Sequence, residues 1–183
     1  MTQDLSQFRL PSGFRGRSAV IVQLWWLVQA TLFQHSPQFA YGFRRWLLRC
    51  FGAQIGRSVL IRPSVKITYP WRVRIGNYSW IGDDVVLYSL GDIVIGDNAV
   101  ISQRGYLCAG DHDYTKTDFP IRGRPIIISS EAWVAADVFI APGVTIGKGS
   151  LIGARSSVFT NMPAGMLCVG SPCKAVKKRS TSK

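Results

Sequence analysis

The most regular hydrophobic pattern in the chain runs from Ile128 to Val158, where an aliphatic residue returns at every sixth position: Ile128, Val134, Ile140, Ile146, Ile152 and Val158. A small residue or alcohol follows each of the first five, at Ser129, Ala135, Ala141, Gly147 and Gly153, and a second small or β-branched position recurs at Ala132, Val138, Val144, Ser150 and Ser156. Neither the period of a helix nor the alternation of an ordinary strand repeats this way. A six-residue period is that of a β-helix. Each hexapeptide supplies one short strand and one corner, three hexapeptides close a triangular coil, and the aliphatic side chain points inward onto its counterpart in the next coil. Glycine or alanine fits where corner and interior are tight.

The pattern recurs upstream in looser form. Ile55, Ile61 and Ile67, then Ile75, Ile81 and Leu87, then Ile95, Ile101 and Leu107 mark three earlier coils, spaced by 20 residues rather than 18. The extra residues fall near Pro70-Trp71 and Gly91-Asp92, which predicts a bulge running up one edge of the prism. The fold expected is all-β, a parallel β-helix of about five coils over residues 53–168. The register breaks once, at a long loop over residues 108–127, and loops thrown out from a rigid scaffold commonly carry function.

Residues 1–52 form a separate preface. A polar lead-in containing Arg9, Arg15 and Arg17 suggests no site, and from Ser18 the stretch AVIVQLWWLVQATLF reads as a helix with Ser18 as its N-cap, ended by Ser36-Pro37. A second helix, QFAYGFRRWLLRCF, sets Phe39, Phe43, Trp46, Leu47, Cys50 and Phe51 on one side and Arg44, Arg45 and Arg49 on the other, with Gly52 closing it. The apolar run of about 15 residues is shorter than the roughly 20 that cross a bilayer. Two readings follow. The helices cap the open end of the shaft, where unpaired strand edges need cover. Alternatively, residues 18–51 rest on the inner face of the cytoplasmic membrane, with Trp25, Trp26 and Trp46 at the interface and the arginines facing phosphates. Residues 169–183 read as a basic tail.

Composition narrows the partners. Lys and Arg total 22 against 10 Asp and Glu, a net charge of +12, which suits a nucleotide-phosphate cosubstrate, a membrane surface or nucleic acid. A content of 47% hydrophobic and 17% charged residues excludes disorder. The four cysteines form no CxxC pair, so no metal site is expected, and without a cleavable signal peptide the expected setting is cytoplasmic, with reduced thiols. His112 stands in the loop between Asp111 and Asp113, and a neutral imidazole suits a general base that deprotonates a hydroxyl. Asp113 or Asp111 would orient its tautomer, or cap the loop instead. His35, between the helices, reads as structural.

The tandem hexapeptides from Ile55 to Val158, the Gly-Asp-His-Asp-Tyr motif at 110–114, Pro125-Ile126-Ile127-Ile128, the segment EAWVAADVFIAPGVTIG and Val169-Gly170-Ser171-Pro172-Cys173-Lys174 resemble the hexapeptide-repeat acyltransferases. The resemblance is greatest to the maltose and nodulation-factor acetyltransferase branch, and within it to the colanic-acid-type exopolysaccharide O-acetyltransferases. It implies a left-handed β-helix, a homotrimer with sites between neighbouring subunits, and acetyl transfer from acetyl-CoA to a hydroxyl of a sugar or lipid-linked saccharide, with no metal and no nucleic acid. It sets His112 as general base with Asp113, and Asp84 and Asp111 toward the acceptor. Trp133 and Ala135 fall beside the thioester and pantetheine arm, where a backbone amide serves the carbonyl oxygen. Gly153, Arg155, Lys174, Lys177 and Lys178 fall toward the phosphates of coenzyme A. The chain has Gly82-Asp83-Asp84 where relatives carry an Asn pattern, which leaves the acceptor open. Transfer to serine, an antibiotic or an amino sugar stands as an alternative, as does a non-enzymatic scaffold for anionic partners. A zinc enzyme on this fold needing three His ligands is excluded, since the chain has two His.

Overall fold

Strands of two or three residues have no stability of their own and persist only through the coil on either side. The computed structural model, which describes residues 2–180, winds them into a left-handed parallel β-helix; residues 1 and 181–183, the outermost parts of the expected lead-in and tail, lie outside the described residues. The first face stacks the strands that begin at Gln54, Val73, Ile93, Ile126 and Thr145. The second stacks those that begin at Leu60, Trp80, Val100, Trp133 and Leu151, and the third those that begin at Lys66, Val86, Tyr106, Phe139 and Ser157. That makes five complete coils, as the periodicity predicts, and a sixth begins with Met162 beside Ile146 on the first face and Met166–Gly170 on the second. The registers Ile55↔Ile75, Ile61↔Ile81 and Ile67↔Leu87 set aliphatic over aliphatic, and the column Ile61, Ile81, Ile101, Val134 and Ile152 is buried throughout. Coils approach so closely at the corners that a Cβ on Gly76 would lie 2.6 Å from the backbone nitrogen of Asp97.

The edge between the third and first faces carries every insertion. Pro70–Arg72 forms a 3-10 turn there, and the expected loop 108–127 leaves from the same edge. Much of that segment is ordered as a hairpin, in which Gly110–His112 pairs antiparallel with Ile121–Gly123. The expected tail is also a hairpin, Met166–Gly170 with Cys173–Lys178, so the strand passes through the expected boundary at 168/169.

The preface contains α1 (Ala19–Val28), continued by a π-helical turn Gln29–Phe33, and α2 (Tyr41–Cys50). Ser18 accepts from the Ile21 amide at the start of α1. The second helix starts later than expected because Pro37–Ala40 closes a turn, in which the Ala40 amide donates to Pro37 O. Its inward side also differs from the expectation: Arg44, Leu47 and Leu48 are buried, whereas Phe39, Phe43 and Trp46 face outward.

The reason lies in the first coil. The amides of Gly56, Leu60, Arg62, Lys66 and Thr68 donate up into the second coil, so the alternate residues turn their carbonyls to the open end. Arg49 donates to Ile55 O at 2.6 Å, Arg45 to Val59 O at 2.9 Å, Arg44 to Ile61 O at 2.6 Å and Trp25 Nε1 to Ile67 O at 2.8 Å, while Gln29 accepts from the Ile67 amide at 2.7 Å. A surface of orphan carbonyls attracts donors, and the arginines are drawn inward.

Candidate functional site

The hairpin at the inserted edge holds His112. Its Nδ1 lies 2.8 Å from the carbonyl oxygen of Phe119. A carbonyl only accepts, so Nδ1 carries the hydrogen, and in the neutral ring Nε2 keeps its lone pair. Phe119 sits at φ 47°, in the left-handed region that a bulky residue seldom occupies. Its ring stacks on the imidazole at 4.3 Å between centroids, 10° from parallel, and Phe8 lies 6.0 Å away. Leu5, Phe8, His112 and Phe119 line a shallow pocket of about 310 Å³. The lead-in, which suggested no site in the sequence, therefore reaches the candidate base.

Neither neighbouring aspartate holds the imidazole, which corrects the expectation that Asp113 or Asp111 orients it. The Asp113 carboxylate accepts from the amide and hydroxyl of Thr115, and these bonds, with Arg122 nearby, hold its pKa below the usual carboxylate value. Asp111 pairs with Arg122 at 2.9 Å and with Arg124 at 3.2 Å, bracing the two hairpin strands. A backbone carbonyl does the orienting instead.

The other predicted residues gather at a different edge, between the second and third faces. Asp84, Arg104, Asp137 and Arg155 occupy equivalent corner positions of successive coils, all at φ between 56° and 60°. Asp137 joins Arg104 at 2.5 Å and Arg155 at 3.9 Å, and the Arg104 hydrogen bonds lower its pKa. Asp84 is exposed. Ala135 follows Trp133 on the second face, and its amide already serves the ladder, donating to Ile152 O at 2.9 Å. Among the described residues, the next amide, that of Ala136, donates to no protein group.

Gly153 is a packing position, because a Cβ there would meet Val169 Cγ1 at 2.6 Å. Val169 is paired with Lys174, which brings that exposed lysine to this edge. Lys177, paired with Leu167, stands over the second face, with Lys178 following it on the same exposed strand. Trp133, 41% exposed, donates from Nε1 to Ser102 Oγ at 2.9 Å. It lines a groove of about 500 Å³ with Tyr41, Arg62, Trp80, Ser102 and Gln103. In that groove Asp83 is tied to Arg62 at 2.9 Å.

The full width of the third face thus separates His112 from Asp84, Ala136 and Arg155, and the two pockets share no residue. Within one chain the candidate base and the groove stand on separate parts of the prism.

No protein-family model matches the chain. It is 57% identical over 177 residues to WcaF of Escherichia coli K12, a protein named for colanic acid biosynthesis acetyltransfer, covering 97% of each chain. The fold superposes on a galactoside acetyltransferase in complex with coenzyme A with a TM-score of 0.82, covering 93% of this chain and 84% of that one at 24% identity. It also superposes on a hexapeptide-repeat acetyltransferase of Vibrio cholerae complexed with acetyl-coenzyme A, with a TM-score of 0.80, covering 91% and 92% at 23% identity.

Proposed function

The chain belongs to the hexapeptide-repeat acetyltransferases, and on that footing we propose that it moves acetyl from acetyl-CoA to a hydroxyl of a sugar or saccharide intermediate in exopolysaccharide synthesis. The observation that carries the mechanism is the Phe119 carbonyl on His112 Nδ1, which leaves Nε2 as the proton acceptor. Acetyl-CoA supplies the acetyl as a thioester, and a hydroxyl attacks it poorly while it keeps its proton. His112 Nε2 takes that proton as the acceptor oxygen bonds to the carbonyl carbon, then returns it to the departing thiolate. The imidazolium between these two transfers is held by Phe119 O. The Ala136 amide is the donor for the oxyanion that forms on the thioester oxygen.

The residues present fit the cosubstrate. Trp133 and Trp80 wall an apolar groove for the pantetheine arm, and the exposed cations Arg155 and Lys174 lie at the edge where its phosphates would meet them. Base and groove lie on different edges, so the working site requires the groove of one copy against the hairpin of the next, in a homotrimer. The row Leu60, Trp80, Val100, Trp133 and Leu151, all outward on the second face, supplies an apolar surface for such a neighbour.

No helix among the described residues is long and apolar enough to cross a membrane. Val20, Leu24, Leu27, Leu32, Phe39 and Trp46 are nevertheless exposed on the preface. We read this face as a peripheral contact with the inner membrane surface, where a lipid-linked acceptor would be presented. The contact works through apolar insertion, since Arg44, Arg45 and Arg49 are spent on the shaft.

The test follows free thiol release from acetyl-CoA against nucleotide-sugars, lipid-linked saccharides and simple sugars, comparing the wild type with His112→Ala. Full acceptor-dependent turnover by the variant would refute the base assignment. A solution mass of one chain only would refute the shared site.

A further inference from the structure

The lead-in crosses the inserted edge as a strap with three attachments. At its start the Asp4 amide donates to Thr117 O at 2.7 Å, clipping it to the hairpin tip, and the Asp4 carboxylate accepts from Ser6 and Gln7 to fix the turn Leu5–Gln7. In the middle, Phe14 packs with Trp71 and Ile121 on the small buried cluster Val22, Tyr69 and Leu90. At its end the bulge holds it by the backbone: Trp71 Nε1 donates to Arg15 O at 2.8 Å, and the Arg72 guanidinium donates to both Phe14 O and Leu90 O. The extra residues in the early coils are therefore a seat for the strap. The strap in turn carries Phe8 and Leu5 onto His112.

Building on the base assignment above, we propose that Phe8 and Phe119 form the aromatic wall of the acceptor subsite, so that the N-terminal strap selects the sugar that His112 deprotonates. The pocket of about 310 Å³ lies at the small end of the range for ligand sites, room for a single sugar ring. Its lining is a leucine, two phenyl rings and the imidazole. The apolar C–H face of a pyranose packs on aromatic rings and leaves its rim of hydroxyls pointing elsewhere, one of them toward Nε2. Such a wall recognises a ring face rather than a charge. Beside the pocket, the strap's polar side chains bond within the strap, Asp4 to Ser6 and Gln7 and Arg9 to Ser6 O and Phe8 O.

Two measurements test this on the full chain. The first needs no acceptor. Diethyl pyrocarbonate acylates exposed imidazole nitrogen, and the modification rate at His112, read by peptide mass, rises severalfold in Phe8→Ala and returns toward the wild-type rate in Phe8→Tyr. The second uses the sugar acceptor that turns over best in the panel above. Phe8→Ala raises its KM about tenfold, the weight of one aromatic contact, while the KM for acetyl-CoA stays within about twofold and Phe8→Tyr restores acceptor binding. Phe8 is only half-buried, so an unchanged melting temperature checks that the shaft is intact. Unchanged modification of His112 together with an unchanged acceptor KM would overturn the proposal. Equal rises in both KM values would overturn it too, since they would mean general damage to the site. The His112→Ala result is independent, so failure of the base assignment is told apart from failure of the strap.

Discussion

Arg44→Met offers the sharpest test of how the shaft is closed. The guanidinium is fully buried and donates to Ile61 O at 2.6 Å, Gln38 O at 2.7 Å, and Pro37 O and Ser36 Oγ at 2.8 Å. Methionine fills much of the same apolar path and supplies none of the donors. Pro37 and Gln38 are exposed and regain water, whereas Ile61 is buried and its carbonyl points into the helix–shaft junction. One orphaned strand carbonyl costs about 1–3 kcal/mol, and the loss of charge-assisted bonds to the other acceptors adds to it. Relief from burying a cation offsets part of this, leaving a net destabilisation of roughly 3 kcal/mol. For a chain of this size that corresponds to a fall in melting temperature of roughly 6–12 °C. The assay is thermal unfolding by circular dichroism at one fixed protein concentration, because assembly shifts the midpoint. Arg45→Met serves as the comparison; it also strips a strand carbonyl of a buried residue, Val59 O, of its donor, but it loses one bond against four and costs about 1 kcal/mol, well short of Arg44→Met. If Arg44→Met melts within a degree or two of the wild type, or if both variants fall equally, the carbonyl-capping account is wrong.

Ala136→Pro removes the proposed oxyanion donor while leaving the ladder bond of Ala135 in place; because Asp137 at φ 58° makes position 136 suitable for proline, the fold should hold while kcat drops about 10²–10³-fold. Equal kcat in variant and wild type would move the oxyanion site elsewhere. Gly76→Ala drives a Cβ onto backbone at 2.6 Å and should cost about 3 kcal/mol or leave the chain insoluble, which a denaturant titration reads directly. The Asp113 pKa is lowered in the folded chain, so its hold on the hairpin tip is present above the carboxylate's unfolded pKa and is lost as pH falls through the folded value. Amide exchange at Thr115, referenced to Asp113→Asn, should be slower near neutral pH and converge on the variant in acid. Convergence already at neutral pH would exclude the cap.

The interior of the shaft was legible in the sequence because stacking imposes one residue class on each sixth position; the column from Ile61 to Ile152 follows that rule without exception. The inserted edge was legible for the same reason, as a local failure of the period. Other features left no such trace. Arg44 turns inward against the amphipathic pattern of its helix, because the surface it meets at the end of the coil is polar backbone and not an apolar core. His112 has an aspartate on either side in sequence, but the partner of its Nδ1 is the backbone carbonyl of Phe119, and a carbonyl carries no signature in sequence. Phe8 lies more than 100 residues from His112 in sequence, and nothing in a polar, turn-rich segment announces that contact. That His112 and Trp133 stand on different parts of the prism follows from the stacking of the faces, which spacing along the chain does not display.

The confinement of every insertion to one edge has a consequence for how such a chain can change. Hydrogen bonding between coils belongs to the three faces, and the interior column belongs to the aliphatic positions, so residues added between the third and first faces disturb neither. The inserted edge can lengthen, shorten or acquire a new strap while the groove on the opposite side keeps its spacing. On the proposed assignment, acceptor choice and donor use are inherited separately: one margin of the prism is free to drift toward a new sugar, and the other stays answerable to a single cosubstrate.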